Sequence, residues 1–334
     1  MATAVPTDPR AARQAARRDL TASLIQRQGA LLALVLLIVF GALRYGTDTF
    51  LSEQNLTTTL RFNAMYGLVA LGMTFVIMTG GIDLSVGSVA ALGSVIAAHL
   101  SSAGPTVAIL GAVAVGVGAG LINGSIIAGF RIQPFIVTLA MLLAARGLAF
   151  LLSDNDKVSI DFDHGFKDLD RETFGPVPLR VAIVIVAYLI GSVLLNLTRF
   201  GRHVLALGGN EEAARLAGLP VARTTVTVYA LSGGLAGLAG VLLAWQTSSG
   251  AGDFAMGWEL SAIAAVVVGG TLLTGGVGSV GTTLFGVMLL GFTFTVLNFE
   301  GISAYWQTVV RGLFLLIVVV LQSRLALRRG AGTS

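Results

Sequence analysis

The sequence predicts an all-α membrane protein, a polytopic bundle of about ten transmembrane helices with broken or re-entrant segments. Of its 334 residues 55% are hydrophobic and 11% charged, and mean hydropathy is +0.86. Soluble domains sit near half apolar and a quarter charged. Apolar runs of about 17–25 residues recur along almost the whole chain, each long enough to cross a bilayer as a helix at ~1.5 Å per residue. The runs lack the period-two alternation of barrel strands, and only helices or closed barrels satisfy their backbone in lipid.

Residues 1–28 carry Arg10, Arg13, Arg17, Arg18 and Arg27 without an apolar core, and no small-residue cleavage site follows the first apolar run. They read as a cytoplasmic tail before an uncleaved span. A transmembrane domain over 29–325 follows, with spans near 29–45, 62–80, 82–100, 105–130, 134–152, 179–198, 224–245, 258–274, 277–297 and 306–322, then a short tail at 326–334. The third and eighth are rich in small residues; if both are re-entrant, eight spans remain and the orientation is unchanged. GAVAVGVGAGLINGSIIAG and SGGLAGLAGVLL place small residues on adjacent turns, which predicts close helix crossings.

Ten crossings starting inside place Arg131, Arg199, Arg202, Arg215, Arg223, Arg324, Arg328 and Arg329 with the N-terminal arginines. Arg44, Arg61, Lys157, Lys167, Arg171 and Arg180 fall outside. This bias predicts N-in, C-in. It also accounts for a net charge of +4 and a pI near 9.8 without nucleic acid as a partner. Trp245, Trp258, Tyr305 and Trp306 are placed near outer ends, as an aromatic belt would be.

Two loops are long. The outer one, residues 153–178, is dense in aspartate with a turn at Gly175-Pro176, and reads equally as a solvated hairpin or a docking surface. The inner one, 199–223, contains a helix-forming run from Glu211 to Ala217. Asn210 is its N-cap, acids fill its first turn and Gly218 stops it before Pro220. A partial repeat links MTGGIDLSVGSV (78–89) to LTGGVGSV (273–280), both between apolar runs.

The first of these stretches places an acid where lipid is expected. Gly80-Gly81 weakens helix continuity, and Asp83 then stands at an N-cap position where its carboxylate accepts from the amides of Ser85 and Val86. A charge at membrane depth costs at least about 2.5 kcal/mol, so Asp83 must face protein or a water-filled cavity. Two readings stay open: a static cap, or a polar pathway lined by Gly80, Gly81, Asp83, Ser85 and Ser88. Asn63, Asn123 and Glu259 are further intramembrane candidates. Asn123 among small residues suggests an interhelical hydrogen bond, Arg146 and Arg311 must pair or snorkel, and Glu259 is a partner for one of them or an outer helix cap.

Several classes are excluded or weakened. Cysteine is absent, which removes disulfides and thiolate metal sites. The histidines His99, His164 and His203 form no ligand spacing, and no metal site is expected. Lysine occurs only at Lys157 and Lys167, and there is no GxxxxGK[ST] loop, so ATP would have to bind another chain. No HExxH or GxSxG motif suggests an enzyme. An ion-coupled secondary transporter remains the alternative, with Asp83 and Glu259 as its ion-site candidates.

GMTFVIMTGGIDLSVGSVAAL, RFGRHVLALGGNEEAARLAGLPV and ELSAIAAVVVGGTLLTGGVGSVGTTLFGV resemble the permeases of bacterial ABC importers for monosaccharides, of the ribose, xylose and galactofuranose type. The likeness runs from about 50 to 325. TRFG, GGN, ELSAIAAVVVGGTLL and NFEG are most similar to a galactofuranose-importer permease. The resemblance implies an inner-membrane permease paired with itself or a second permease, two ATP-binding domains on a separate chain that hold ATP and Mg, and an extracytoplasmic sugar-binding protein. It implies no cofactor in this chain and no catalysis by it. It also implies that the inner loop docks on the ATPase through Gly209, Asn210, Glu211, Ala214, Arg215 and Gly218.

Overall fold

A computed structural model describes residues 29–330; the predicted tail over 1–28 and residues 331–334 lie outside the described residues. The elements in order are α1 (Gly29–Tyr45), α2 (Thr47–Phe50), α3 (Glu53–Met78), α4 (Val86–Leu100), α5 (Pro105–Phe130), α6 (Pro134–Leu152), α7 (Leu179–Leu197), α8 (Arg199–Gly209), α9 (Glu211–Leu216), α10 (Val221–Thr247), α11 (Trp258–Val268), α12 (Val280–Phe299) and α13 (Ala304–Gly330). Four two-residue strands complete it: β1 (Val158–Ser159), β2 (Thr173–Phe174), β3 (Val177–Pro178) and β4 (Ser249–Gly250). The fold is an all-α polytopic bundle. Among the described residues seven helices are long and apolar enough to cross a membrane, and three shorter apolar ones occupy the remaining predicted positions.

Contacts between loops sort the helix ends onto two sides. Tyr45 donates to the Glu300 carboxylate at 2.7 Å, joining the ends of α1 and α12. The backbone amide of Asp161 donates to the Ser101 hydroxyl, and β1 pairs antiparallel with β4, gathering the ends of α4, α6 and α10 at the same side. At the opposite side the Gly276 amide donates to the Met78 carbonyl beside the end of α8. Following the arginine bias, the side that carries α8 and α9 is called inner.

Proline and glycine set the bounds of α5 and α6, which match the predicted spans. Pro105 and Pro134 sit in their first turns, where a missing amide is harmless, and Arg131 ends α5 in a left-handed conformation with φ 53°. The antiparallel pair α5 and α10 forms the central seam. A Cβ at Gly116, Gly120 or Gly124 would meet the backbone of Gly233, Tyr229 or Val226, so these helices touch backbone to backbone.

Several expectations need correction. α3 begins at Glu53 rather than near 62, because Ser52 caps it by accepting from the Asn55 amide. α13 runs on to Gly330, past the predicted domain end at 325. The predicted span 258–274 is helical only over Trp258–Val268, since Gly269-Gly270 ends the helix. At ~1.5 Å per residue that half-helix covers about 16 Å, and coil completes the crossing at both of its ends. The outer loop is no free hairpin. Phe166 is fully buried against Trp245, Lys167 bonds the Trp245 carbonyl, and Asp170 pairs with the buried Arg180. Within it β2 and β3 turn at Gly175-Pro176. Of the aromatic belt, Tyr305 and Trp306 are exposed, whereas Trp245 is buried and Trp258 lies deep in the bundle.

Candidate functional site

Two helix interruptions meet inside the bundle. The first follows α3, whose last turn closes with the Gly80 amide on the Ile77 carbonyl and the Gly81 amide on the Val76 carbonyl. Gly80 takes φ +80°, a conformation that favours glycine. The chain then re-enters, and Asp83, 1% exposed, becomes the hub of a buried polar cluster. Its Oδ1 accepts from the Ser85 amide (3.0 Å) and the Ser85 hydroxyl (2.6 Å), and its Oδ2 accepts from the Ser232 hydroxyl on α10 (2.9 Å). Asn123 on α5 donates from Nδ2 to Ser85 Oγ (3.1 Å), and Ser88 donates to the Ser85 carbonyl (2.8 Å).

This geometry differs from the predicted cap in one respect: Asp83 accepts from the Ser85 amide, the Ser85 hydroxyl and the Ser232 hydroxyl rather than from the Val86 amide. Ser85, not Asp83, is the residue before the first turn of α4, and it is in the right-handed helical region. A side-chain cap needs an extended residue at that position. The second carboxylate oxygen turns to Ser232 instead, tying the break to α10. Ser232 lies about 16 Å along α10 from Val221 at ~1.5 Å per residue, which sets Asp83 at membrane depth.

The second interruption precedes α11. From β4 the chain descends along α4 as coil: Gly250 lies against Ser94, Gly252 against Phe150, and Ala255 against Gly87. Trp258 then starts α11 with its ring tilted against that of Tyr66 at 4.6 Å, about 20 Å along α3 from Glu53. The coil's carbonyls are satisfied by Arg146, whose Nη1 donates to Gly252 (2.5 Å) and Phe254 (2.6 Å). Asp253 and Glu259 lie within electrostatic reach of that guanidinium. Glu259, in the first turn of α11, packs against Gly87 at the start of α4, so the two half-helices meet at their N-termini. Asp253 and Met256 are exposed, Met256 at 70%. A carboxylate at this depth faces a polar space and not hydrocarbon.

Gly80, Gly81, Asp83, Ser85, Ser88 and Asn123 are therefore brought together, with Glu259 one turn of α4 away. Asn63 is not. Its amide bonds the Thr59 carbonyl within α3 and fills the space against Gly291. Arg311 lies over the Phe294 ring at 4.6 Å. Sequence reasoning missed Ser232, Thr138, which donates to the Ile82 carbonyl, and Tyr229, whose buried hydroxyl lies against Gly81. Ser232 and Tyr229 stand three residues apart on α10, the only local signal for them.

At the inner side the loop 199–223 folds as two helices. α9 is built as its residues dictate: Asn210 accepts from the Ala213 amide (2.9 Å), Glu211 pairs with Arg215 (2.6 Å), and Ala214 is buried. Gly218, with φ +76°, closes the end as the Leu219 amide reaches the Ala214 carbonyl. Leu216, 82% exposed, projects outward. α8, which the sequence reading left as loop, buries Val204 and Leu207 one turn apart. A cavity of about 630 Å³ lies between the first break and this loop, lined in part by Gly81, Arg131, Arg215, Arg223 and Tyr229.

Comparisons with known proteins assign the chain to a family. A family profile described as a branched-chain amino acid transport system permease component matches residues 55–319. The chain is 39% identical to the ribose import permease of Bacillus subtilis (strain 168) over 90% of its own length and 94% of that protein. It is 40% identical to the L-arabinose ABC transporter permease of Azospirillum brasilense, covering 89% of this chain and 87% of the relative. It is 38% identical to the ribose import permease of Escherichia coli (strain K12), covering 92% and 97%. No solved structure gives a significant match. The chain belongs to the family of transport-system permease components that includes these ribose and arabinose permeases.

Proposed function

We propose that this chain is the membrane permease of a bacterial monosaccharide ABC importer, a transport subunit that forms the sugar's path while a partner chain hydrolyses ATP. The observation that carries the reading is the pair of half-helices meeting at membrane depth, with Asp253 and Met256 exposed and Glu259 half-buried beside them. Such a wall offers a polyhydroxylated solute scattered polar contacts and no enclosed site. Weak contacts suit a ligand that must leave. The relatives named for ribose and arabinose support a pentose or similar sugar, and galactofuranose stays among the candidates from the sequence resemblance.

In this reading α9 docks on the ATP-binding subunit through Gly209, Asn210, Glu211, Ala214, Arg215 and Gly218. Closure of the two ATP-binding domains pulls the loops of two permeases together and switches the path between them. Energy coupling requires the permease to bind its ATPase differently in the two states. A sugar-binding protein outside delivers the substrate, and the folded outer loop 153–178 is its landing surface. The similarity to sugar ABC permeases supports this importer over an ion-coupled carrier.

The test is copurification from mild-detergent membranes, with the chain intact and with 210–218 replaced by a neutral linker. An ATP-binding subunit that accompanies the intact chain and is lost with the altered loop is the expected result. Absence of any such subunit, where a control importer keeps its own, would overturn the reading.

A further inference from the structure

The C-terminal turn of α8 touches the first break and the turn that ends α11 at once. The Gly276 amide donates to the Met78 carbonyl at 2.9 Å, so the turn after α11 is bonded to the end of α3. Gly208 seats on that bond: a Cβ there would collide with the Met78 carbonyl and the Gly276 nitrogen. Gly275, at φ +84°, lies with its α-carbon face against the Gly80 nitrogen and the Gly208 carbonyl, where a Cβ would stand 2.8 and 2.9 Å away. Gly276, at φ +74°, abuts Gly209. Three chain segments thus meet backbone to backbone, and two of them are the TGG turns that repeat in the sequence.

We propose that Met78, Gly208, Gly275 and Gly276 form a transmission seam: motion of α9 reaches the first break and the turn that ends α11 together through Gly208, so the half-helices α4 and α11 move as one unit. Gly208 and Gly276 are positioning residues for transport and touch no substrate. Close-packed contacts with no flexible side chain between them pass on displacement with little give. α8 joins α9 through Asn210 alone. The seam differs from the α5/α10 glycine contacts, which pack two continuous helices; here glycines join one helix end to two turns. Side chains at Gly275 or Gly276 would also force a left-handed backbone on a larger residue. A path of contacts is not yet coupling, so the measurement must read coupling itself.

The inference rests on the importer reading, and the experiment separates the two. In the complete complex, hydrogen exchange is followed with and without trapped ATP over peptides covering α9, 76–82 and 272–280. Exchange at 76–82 and 272–280 is expected to change with that of α9. Constant exchange at both turns while α9 responds overturns the seam alone; no response anywhere overturns the importer reading and the seam with it. In proteoliposomes Gly208→Ala is expected to lower sugar uptake per ATP hydrolysed about tenfold, within the range of measured coupling factors. Gly129→Ala, on the inner turn of α5 with nothing near its Cβ position, is expected to match the unmodified complex. Proportional loss of uptake and hydrolysis, or loss of neither, contradicts the proposal. Where Gly208→Ala does not fold, the exchange comparison on the unmodified complex decides.

Discussion

The two breaks solve one problem in opposite ways. At 79–85 Asp83 accepts from the Ser85 amide and Thr138 donates to the Ile82 carbonyl, while Ser232 and Asn123 bond the side chains of Asp83 and Ser85, and Asp83, Ser85 and Ser88 are buried. At 251–257 one arginine from α6 holds two carbonyls, and Asp253 and Met256 stay exposed. A densely bonded buried network is rigid. A coil held by one long side chain has an accessible face. In the importer reading we propose, the first break is a pivot and the second a wall of the path, so that Asp83 is structural and the substrate contacts lie on a segment outside the sequence-derived candidates.

The comparison is broken most severely at Asp83. Asp83→Ala strands the Ser85 amide, the Ser85 hydroxyl and the Ser232 hydroxyl, each costing about 1–3 kcal/mol when left unpaired in a dry interior. The expected result is a folding defect seen as a large drop in thermal unfolding temperature, with Asp83→Asn milder because it keeps one acceptor. Gly120→Ala serves as a packing benchmark. Its methyl meets the Tyr229 carbonyl, and overpacking costs about 1–3 kcal/mol. Gly118→Ala, with open space at its Cβ position, is expected to stabilise by about 0.5–1 kcal/mol through helix propensity.

The second break responds differently. Arg146→Gln keeps an amide with two N–H donors on a shorter side chain, and the exposed Asp253 and Met256 on either side of Phe254 admit water to the coil. Its expected stability loss is below about 1 kcal/mol, near the net value of one hydrogen bond. Uptake falls in the same variant while ATP hydrolysis persists. A folding defect as large as that of Asp83→Ala would erase the distinction between the breaks.

The smallest effect lies outside the membrane. His164 and Asp161 bond at 2.8 Å on the outer loop. That hydrogen bond raises the His164 pKa above its ordinary value and, first among its causes, lowers that of Asp161. For the raised histidine, the contribution to loop stability is full below the unfolded value of about 6.5 and is lost as pH rises through the folded value. For the depressed carboxyl, it is present above about 3.9 and lost as pH falls through the folded value. His164 is exposed and Asp161 only half-buried, so the effect is slight. Amide exchange over 158–168 is expected to quicken as pH rises through the folded His164 value, after correction for intrinsic rates, and His164→Gln removes the step.

Legibility from sequence follows how local each signal is. α5, α6 and α9 were legible because proline, an asparagine cap and glycine act within a turn. α8 was missed because the run TRFGRHVLALGGN looks like a glycine-rich loop until Val204 and Leu207 gain partners. The small residues of 258–274 signal a re-entrant segment, but the bounds of α11 hid in an unbroken apolar run, and its coil hid in a loop that a full-length span would have left outside the bilayer. The belt assignment of Trp258 failed for the same reason. The partner of Asp83 on α10 is 149 residues away, and no spacing rule reaches that far.

The central claim is that the second break, and not the first, faces the path. The chain has no cysteine, so single cysteines can be read without background. The decisive measurement is labelling of Met256→Cys and Ser88→Cys by a membrane-impermeant maleimide in the intact importer in sealed vesicles, with and without trapped ATP. The account expects Met256→Cys to react, at a rate that changes with ATP, and Ser88→Cys to stay protected in both states. Protection of Met256→Cys in both states, or labelling of Ser88→Cys as fast as Met256→Cys, would contradict it.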